Sequence, residues 1–573
     1  MTQWVKLTEL QPYHLACDDD TILISASAGT GKSTALLNSI RGYADDGVPL
    51  RNMMFLSFNT GIANEFKERA IASGLTVQKE DMRYMATWHG IGKRLAQAQG
   101  VLKSGKVARL ADSGDSIGSF PREVLSDLLE RMGADHSQIK YLKSLFESIG
   151  KKTVEGELLS NAENTVYYHL LEYQKQKPCI SFLSMLREML TKPLFDSDVT
   201  HVFVDEAQDI GWGHSYYLRN LKDKYSFKLI MAGDEKQGIN GFMGADNNAF
   251  VTFPADHKAI FTKTFRLPRS HLEYSNRIFS RSSSIVGLTQ ETGVEEDGVL
   301  MECGLHTALG KVQFNIENGD EIMILARHKS TVDDIAEILR RSRIPYVTAK
   351  SKKSSGVEQI HFDFAREKEI CIEKQMITSG MLDALNPLRG TGEKGLLNIR
   401  KKKNAIYVDH SRRDQYKKEQ MELESAQRTF LFNEMETFDV ISDIDPADTE
   451  RLHKAGVTPK LAEDLLADNL DFSFFLGKKD VYDLVSHWVH TFGENMKPVT
   501  ISTIHKAKGL EADVVLLCTA TFGASEDAER NDPESERRVW YVGATRSRHA
   551  LYLVSLPSQQ TRTRLLPRVW ILS

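Results

Sequence analysis

Cysteine is scarce in this sequence. Its five cysteines (Cys17, Cys179, Cys303, Cys371, Cys518) are scattered over 573 residues with no CxxC and no Cys/His cluster. That excludes a disulfide framework and argues against a structural zinc site. Long hydrophobic runs are also missing, and none approaches the roughly 18 residues that would span a bilayer. The opening MTQWVKLTEL lacks the basic-then-apolar design of a secretory leader. A soluble protein of the reducing cytoplasm is the expectation. Nor is there an excess of positive charge: 73 Lys and Arg stand against 78 Asp and Glu, a net charge of −5. A basic coat that binds any polyanion is thereby excluded, and nucleic-acid contacts would have to be confined to a groove or patch. No internal repeat with a period of about 20 to 50 residues is present.

What is there is ordinary for a globular chain, with 41% hydrophobic and 26% charged residues. At about 150 residues per domain, the length predicts roughly three to five domains, each able to bury a core. One stretch stands out in charge. Residues 389–418 hold ten Lys and Arg, among them Lys401, Lys402 and Lys403, against three acids; this net of +7 leaves −12 on the rest of the chain. It reads with equal weight as a solvated charged face and as a grip on nucleic acid.

Short buried-strand patterns at 21–25, 53–58, 201–204 and 228–231 alternate with helical patterns such as the one over 61–73. The alternation resumes at 321–325 with a helix over 330–343. It closes with strands at 499–504, 514–518 and 550–556 around a helix at 534–546. Such alternation argues for parallel α/β sheets. The helical, polar stretch 95–190 and the stretch 347–480 break it. The pattern therefore predicts two α/β cores, each interrupted by an insertion.

The first strand runs into Ala26-Ser27-Ala28-Gly29-Thr30-Gly31-Lys32-Ser33. The phosphate-loop pattern asks for glycine six positions before the lysine, where Ala26 stands. The remainder suits the chemistry. Gly29 and Gly31 let backbone N–H groups turn inward around phosphate oxygens, Lys32 reaches the β/γ-phosphates, and the Ser33 hydroxyl suits Mg²⁺. The helix that starts here offers its positive dipole end to the anion. Ala28, Gly29, Thr30, Gly31, Lys32, Ser33 and Thr34 are thus candidate ATP-binding residues. A plain Gly-rich turn is the competing reading, outweighed by Gly-Lys-Ser at a helix start.

A second strand ends in Asp205-Glu206-Ala207-Gln208-Asp209. In a nucleotide hydrolase the first acid holds Mg²⁺ and the second orients and deprotonates the attacking water. Alone, an Asp-Glu strand end is more often just solvated. Its place after a phosphate loop turns that balance.

Together these segments resemble the UvrD/Rep/PcrA family of superfamily 1A DNA helicases, in order along nearly the whole chain. Gln11 stands 21 residues before Lys32, the spacing of the family's adenine-reading Q motif. Phe58 with its neighbours resembles motif Ia, and Thr87-Trp88-His89-Gly90 resembles motif Ib. Gly233 to Phe242 is similar to motif III, and Thr264-Phe265-Arg266 to motif IV. Thr503 to Glu511 is similar to motif V, and Glu536 to Arg546 to motif VI.

The resemblance implies two RecA-like domains, 1–94 with 191–262 and 263–346 with 481–573, and ATP with Mg²⁺ between them. Subdomains 95–190 and 347–480 would be the insertions. It implies that Arg266 and Arg546 converge on the γ-phosphate, where a guanidinium neutralises transition-state charge. Phe265 would stack on adenine, Gln237 would link the γ-phosphate to the DNA groove, Glu511 would accept a ribose hydroxyl, and Gly509 would line the site. Ser33 and Asp205 would hold Mg²⁺. Phe58, Thr87, His89, Phe242 and His505 would contact single-stranded DNA, with Phe242 as the stacking platform. Trp88 reads as core in preference to platform.

The chain departs from the family pattern at Gly61, Asn240 and Met243, which removes two positive charges and one stacking surface from the expected groove. About 27 residues follow Arg546, too few for a fused nuclease domain. Three readings follow. The first is an ATP-dependent 3′→5′ helicase working on single-stranded and tailed duplex DNA. The second is a DNA-stimulated regulatory ATPase subunit of a nuclease, defence or repair complex, with little unwinding of its own. The weakest is a nucleotide-binding scaffold that has lost catalysis.

Overall fold

In the computed structural model the described residues are 4–7, 20–58, 60–72, 84–98, 108–109, 122–176, 179–191, 199–280, 291–348, 355–382, 384, 443–454, 459–468, 479–492, 497–556 and 561–569. The chain divides into two compact units. One comprises Met1–Cys303, Ala507–Glu511 and Leu517–Ser573, the other Gly304–Lys506 and Ala512–Leu516.

The first unit is built on seven strands: β1 (Trp4–Leu7), β2 (Thr21–Ala26), β3 (Met53–Ser57), β4 (Met85–Thr87), β5 (His201–Val204), β6 (Lys228–Gly233) and β7 (His257–Phe261). Their order across the sheet is β1-β7-β2-β6-β5-β3-β4, and each neighbouring pair is parallel. The sheet is buried on both faces, which is why its strands read as near-continuous apolar runs. Successive side chains divide between two cores. Ile22, Ile24, Phe55, Phe203 and Ile230 pack with the helix α1 (Lys32–Asp45) and with Phe66 of α2 (Thr60–Ala72). Leu23, Met54, Val202 and Met231 pack on the other face with Trp88 of α3 (Trp88–Ala98) and Leu218 of a later helix.

Between β4 and β5 come α4 (Arg122–Arg131), α5 (Ile139–Glu155), α6 (Asn161–Gln176) and α7 (Phe182–Thr191). Leu142, Phe146 and Ile149 recur at helical spacing on α5. They meet Leu125, Leu128, Val166 and Leu170 in a separate core, so this insertion carries its own hydrophobic centre. After β5, the helix α8 (Trp212–Tyr225) begins against the end of α5. The approach is too close for side chains. A Cβ on Gly211 would overlap the Val154 and Gly244 carbonyl oxygens, and one on Gly213 would overlap the Thr153 carbonyl oxygen. Backbone rests on backbone along this seam.

In the second unit, β8 (Ile322–Ala326), β9 (Tyr346–Thr348) and β10 (Val499–Thr503) pair in parallel, β10 lying between the other two. The strand that begins at Ala512 lies on the other side of β8. Between β9 and β10 the described chain is helical, including Ser355–Lys374, Pro459–Leu466 and Lys479–Phe492. Two parallel-strand α/β cores, each interrupted by a mainly helical insertion, are the fold class that the alternation predicts. Among the described residues no helix is long and apolar enough to cross a membrane.

Candidate active site

The loop after β2 turns through Gly29 (φ 73°) and Gly31 (φ 89°), a left-handed backbone that side chains disfavour. A Cβ on Gly29 would overlap that of Arg266 and lie 2.7 Å from the Thr264 hydroxyl. The loop and the 264–266 segment therefore meet without a side chain between them. The Phe265 N–H donates to the Gly29 carbonyl at 2.8 Å, and the Thr264 hydroxyl donates to the Ala28 carbonyl at 2.9 Å. Thr30 turns inward, its hydroxyl donating to the Ser27 carbonyl at 2.9 Å. Lys32 folds back over the loop, its ammonium 3.1 Å from the Ala26 carbonyl. Gly31 caps α1, leaving the first N–H groups of that helix at the loop.

The acidic strand end answers this loop. The Ser33 hydroxyl donates to Asp205 Oδ2 at 2.7 Å. Asp205 is wholly buried; burial and the neighbouring Glu206 carboxylate push its carboxyl upward, against the pull of Ser33 and Lys32. Glu206 adopts φ 55°, a left-handed conformation that is strained for a side chain-bearing residue. Burial works to raise its carboxyl as well, but Lys32, Lys508, Gln208 and Arg546 outweigh burial and hold it below the usual carboxylate range. Lys508 donates to both Asp209 oxygens at 2.6 and 2.8 Å and lies 3.7 Å from Glu206. Two adjacent carboxyls are thus driven apart in proton affinity, one by desolvation and one by cations.

Gln237 joins the far end of the chain to this set. Its amide donates to Asp234 at 2.7 Å, while its carbonyl oxygen accepts from Arg546 at 3.0 Å. Arg546 is 1% exposed and also donates to the carbonyls of Val542 and Leu510. Burial first, then Arg266, lower its guanidinium to about 10, so it stays charged. Arg266 ion-pairs with Glu511, which also takes Arg548 at 3.1 Å. Glu511, expected at a ribose hydroxyl, is in this state held by two arginines.

These groups surround a cavity of about 560 Å³, lined by Gly29, Lys32, Ser33, Glu206, Arg546 and others that include Phe265, Gly509 and Glu511. Phe265 is half exposed, its ring beside Gly293 and 5.7 Å from the Lys263 ammonium. It is therefore no core aromatic. Thr34, at the mouth, accepts from Arg69 at 2.8 Å.

The groove candidates divide. Phe242 is 67% exposed, as a stacking platform requires. Phe58 is half-buried, its ring packed on Trp88 and against the edge of His214. Thr87 accepts from the Gly90 N–H at 3.1 Å and so caps α3, and His89 lies half-buried in the same turn. Trp88 is fully buried, in keeping with the core reading. His505 belongs to the second unit, just past β10. Gln11 and Lys401, Lys402 and Lys403 lie outside the described residues.

Sequence reasoning missed two cations that line the cavity, Arg69 and Arg548, and a third, Lys508, that reaches Glu206 and Asp209 beside it. Lys508 lies inside a segment already singled out, but nothing in the pattern separates it from Lys506. Arg69 and Arg548 are lone arginines with no signal at all.

Residues 7–258 match the UvrD/REP helicase N-terminal domain, and residues 484–558 match the UvrD-like helicase C-terminal domain. Similar proteins include the ATP-dependent DNA helicase PcrA of Leuconostoc citreum, 23% identical over 93% of this chain and 80% of the relative. The ATP-dependent DNA helicase UvrD1 of Mycobacterium tuberculosis is 24% identical over the same shares of the two chains. PcrA of Staphylococcus aureus is 22% identical over 94% of this chain and 81% of its own length.

Proposed function

The chain belongs to the UvrD-like helicase family, and on that premise we propose that it is an ATP-dependent DNA helicase that moves 3′→5′ along single-stranded DNA and unwinds duplex ahead of it. The observation that carries this reading is the meeting of Arg546 with Gln237, 3.0 Å apart, beside a cavity that also holds Lys32 and Glu206. Groups from opposite ends of the sequence surround one site of triphosphate dimensions.

Each residue then has a task. Lys32 and the α1 N–H groups bind the β- and γ-phosphates. Glu206, held ionised by Lys32 and Lys508, orients the attacking water and accepts its proton. Arg546 and Arg266 face the charge that builds on the transferred phosphoryl group. Phe265 offers an open face to the base. Ser33 and Asp205 fit Mg²⁺: their hard oxygens are 2.7 Å apart, and the buried Asp205 lacks a full counter-charge. Ser33 and Asp205 would hold Mg²⁺ there, and the ion would supply positive charge against the negative charge of the triphosphate.

Gln237 supports coupling of hydrolysis to DNA. It touches Arg546 at the phosphate side and lies five residues before the exposed ring of Phe242. A change at the γ-phosphate alters the first contact and so shifts the loop carrying the second.

ATPase activity with and without single-stranded DNA, paired with unwinding of 3′- and 5′-tailed duplexes, tests the proposal. DNA-stimulated turnover with displacement only on 3′ tails is expected. Displacement only on 5′ tails overturns the polarity. Strong turnover without displacement replaces the helicase by a regulatory ATPase.

A further inference from the structure

Away from the nucleotide cleft, the first unit contains a second cavity of about 530 Å³, and five arginines line it: Arg277, Arg537, Arg562, Arg564 and Arg568. They come from three places, the helix Arg269–Ile278, the helix Pro533–Ala544 and the segment 562–568. Such convergence on a chain of net charge −5 is not a matter of composition.

The five have different work. Arg562 is spent on structure: it pairs with Glu302 at 3.0 Å and donates to the carbonyls of Thr563, Leu566 and Pro567, which shapes the segment. Arg537 is half-buried, donating to the Ile278 carbonyl at 2.8 Å. Arg277, Arg564 and Arg568 are exposed. Arg568 shares Glu302 at 3.2 Å, whereas no carboxylate among the described residues pairs with the side chain of Arg277 or Arg564. Arg277 spends one N–H on the Arg568 carbonyl at 3.2 Å, so most of its fork stays open.

We propose that this pocket is a second anion site that takes phosphate groups, carried by a DNA backbone or by a free phosphoanion. Two open forks, Arg277 and Arg564, beside the partly committed Arg537 and Arg568 suit an anion with more than two acceptor oxygens. A phosphate meets that need better than a carboxylate. The site is also joined to the cleft by a single helix. Arg537 lines the pocket, Arg538 donates to the Glu235 carbonyl at 3.1 Å, and Arg546 beyond the helix end reaches Gln237. Seven positions separate Arg537 from Ala544, the last residue of the helix, about 10 Å of helical rise, and Arg546 follows two residues on. An anion gripped at one end thus bears on the element that ends at the other. The inference does not rest on helicase activity, since a chain that unwinds nothing would still bind phosphate here.

The test uses the full chain with its cleft filled by a non-hydrolysable ATP analogue. Oligo-dT and pyrophosphate are titrated against the wild type, the double variants R277A/R564A and R277K/R564K, and Arg564→Ala alone. The single exposed change guards against a folding defect in the double one. If the phosphate belongs to DNA, the alanine variants lower the salt slope of oligo-dT binding by roughly 0.7 per lost contact, and lysine restores part of it. If it belongs to a free phosphoanion, the DNA slope holds and pyrophosphate affinity falls by about fivefold or more. Either result supports the site. Unchanged slope and unchanged pyrophosphate binding overturn it, as does displacement of both probes by polyglutamate of equal charge, which would make it a site for acidic peptide.

Discussion

Arg546 Nη2 lies 3.0 Å from Gln237 Oε1, joining positions 309 residues apart in the sequence. Three of its other four N–H donors go to the Val542 and Leu510 carbonyls and to the Thr545 hydroxyl, not to a carboxylate. A buried, fixed cation of this kind is built to meet an incoming anion. Arg546→Ala should lower ATPase kcat by about a thousandfold, with nucleotide affinity changed far less. Arg546→Lys should recover little, because a point charge cannot keep four directed contacts. Steady-state ATPase with nucleotide titration checks this, and a loss under tenfold would dissociate Arg546 from the chemistry.

Lys32 and Glu206 should fail differently. Lys32→Ala removes the cation that reaches the phosphates and should abolish turnover through binding and catalysis together. Glu206→Gln keeps the shape and should bind ATP while hydrolysing it very slowly. Nucleotide binding measured beside single-turnover hydrolysis separates the two, and normal hydrolysis by Glu206→Gln would remove that residue as the base.

Burial raises the Glu206 carboxyl, and Lys32 first and then Lys508 pull it back down. Lys508 is one of the cations that hold this carboxyl low. Removing it raises the carboxyl, and a base is idle once protonated. The acid limb of the kcat profile should therefore move to higher pH in Lys508→Ala and return toward the wild-type position in Lys508→Arg. Profiles carried down through the carboxylate range, below about pH 4.5, would reveal the shift; identical limbs would mean that Lys508 acts only through Asp209.

Phe265 offers an open aromatic face at the cleft. A stacking contact is worth about 0.5 to 1.5 kcal/mol beyond burial. Phe265→Ala should weaken ATP binding by roughly 3- to 10-fold, and Phe265→Tyr should restore it. Triphosphate alone, which has no base, should bind both variants equally; parallel losses for ATP and triphosphate would point to a collapsed loop instead.

His214 makes the fold acid-sensitive. It is fully buried, set edge-on to Trp88, and its burial and the neighbouring His89 lower its pKa to about 3. The folded state therefore resists a proton that the unfolded chain accepts near 6.5. Stability from this group is complete above that value and falls as pH drops toward 3. From pH 6.5 to 5 the loss is about 2 kcal/mol. His214→Gln should be less stable at pH 7.5 yet show a flatter dependence of melting temperature on pH. A wild-type melting temperature that is constant from pH 7.5 to 5 would contradict the assignment.

Local chemistry was legible in the sequence and convergence was not. The phosphate loop could be read because Gly29, Gly31 and Lys32 do their work within a few bonds of one another. The Asp205–Glu206 pair could be read because a buried strand seldom ends in two acids without cause. Arg266 and Arg546 are ordinary arginines until the order of motifs ties them to a family. Glu511 shows the limit of that method, since in this state its carboxylate is held by Arg266 and Arg548. Phe58 and Thr87 show it too, one ring half committed to packing and one hydroxyl to a helix cap. The five-arginine pocket left no trace, because its members come from segments nearly 300 positions apart.

The seam at Gly211 and Gly213 carries a mechanical consequence. On the glycine side of this joint there are no rotamers with which to absorb displacement. The chain just after Asp209 and the end of α5 therefore meet with no slack between them, and a larger residue at either glycine would force them apart.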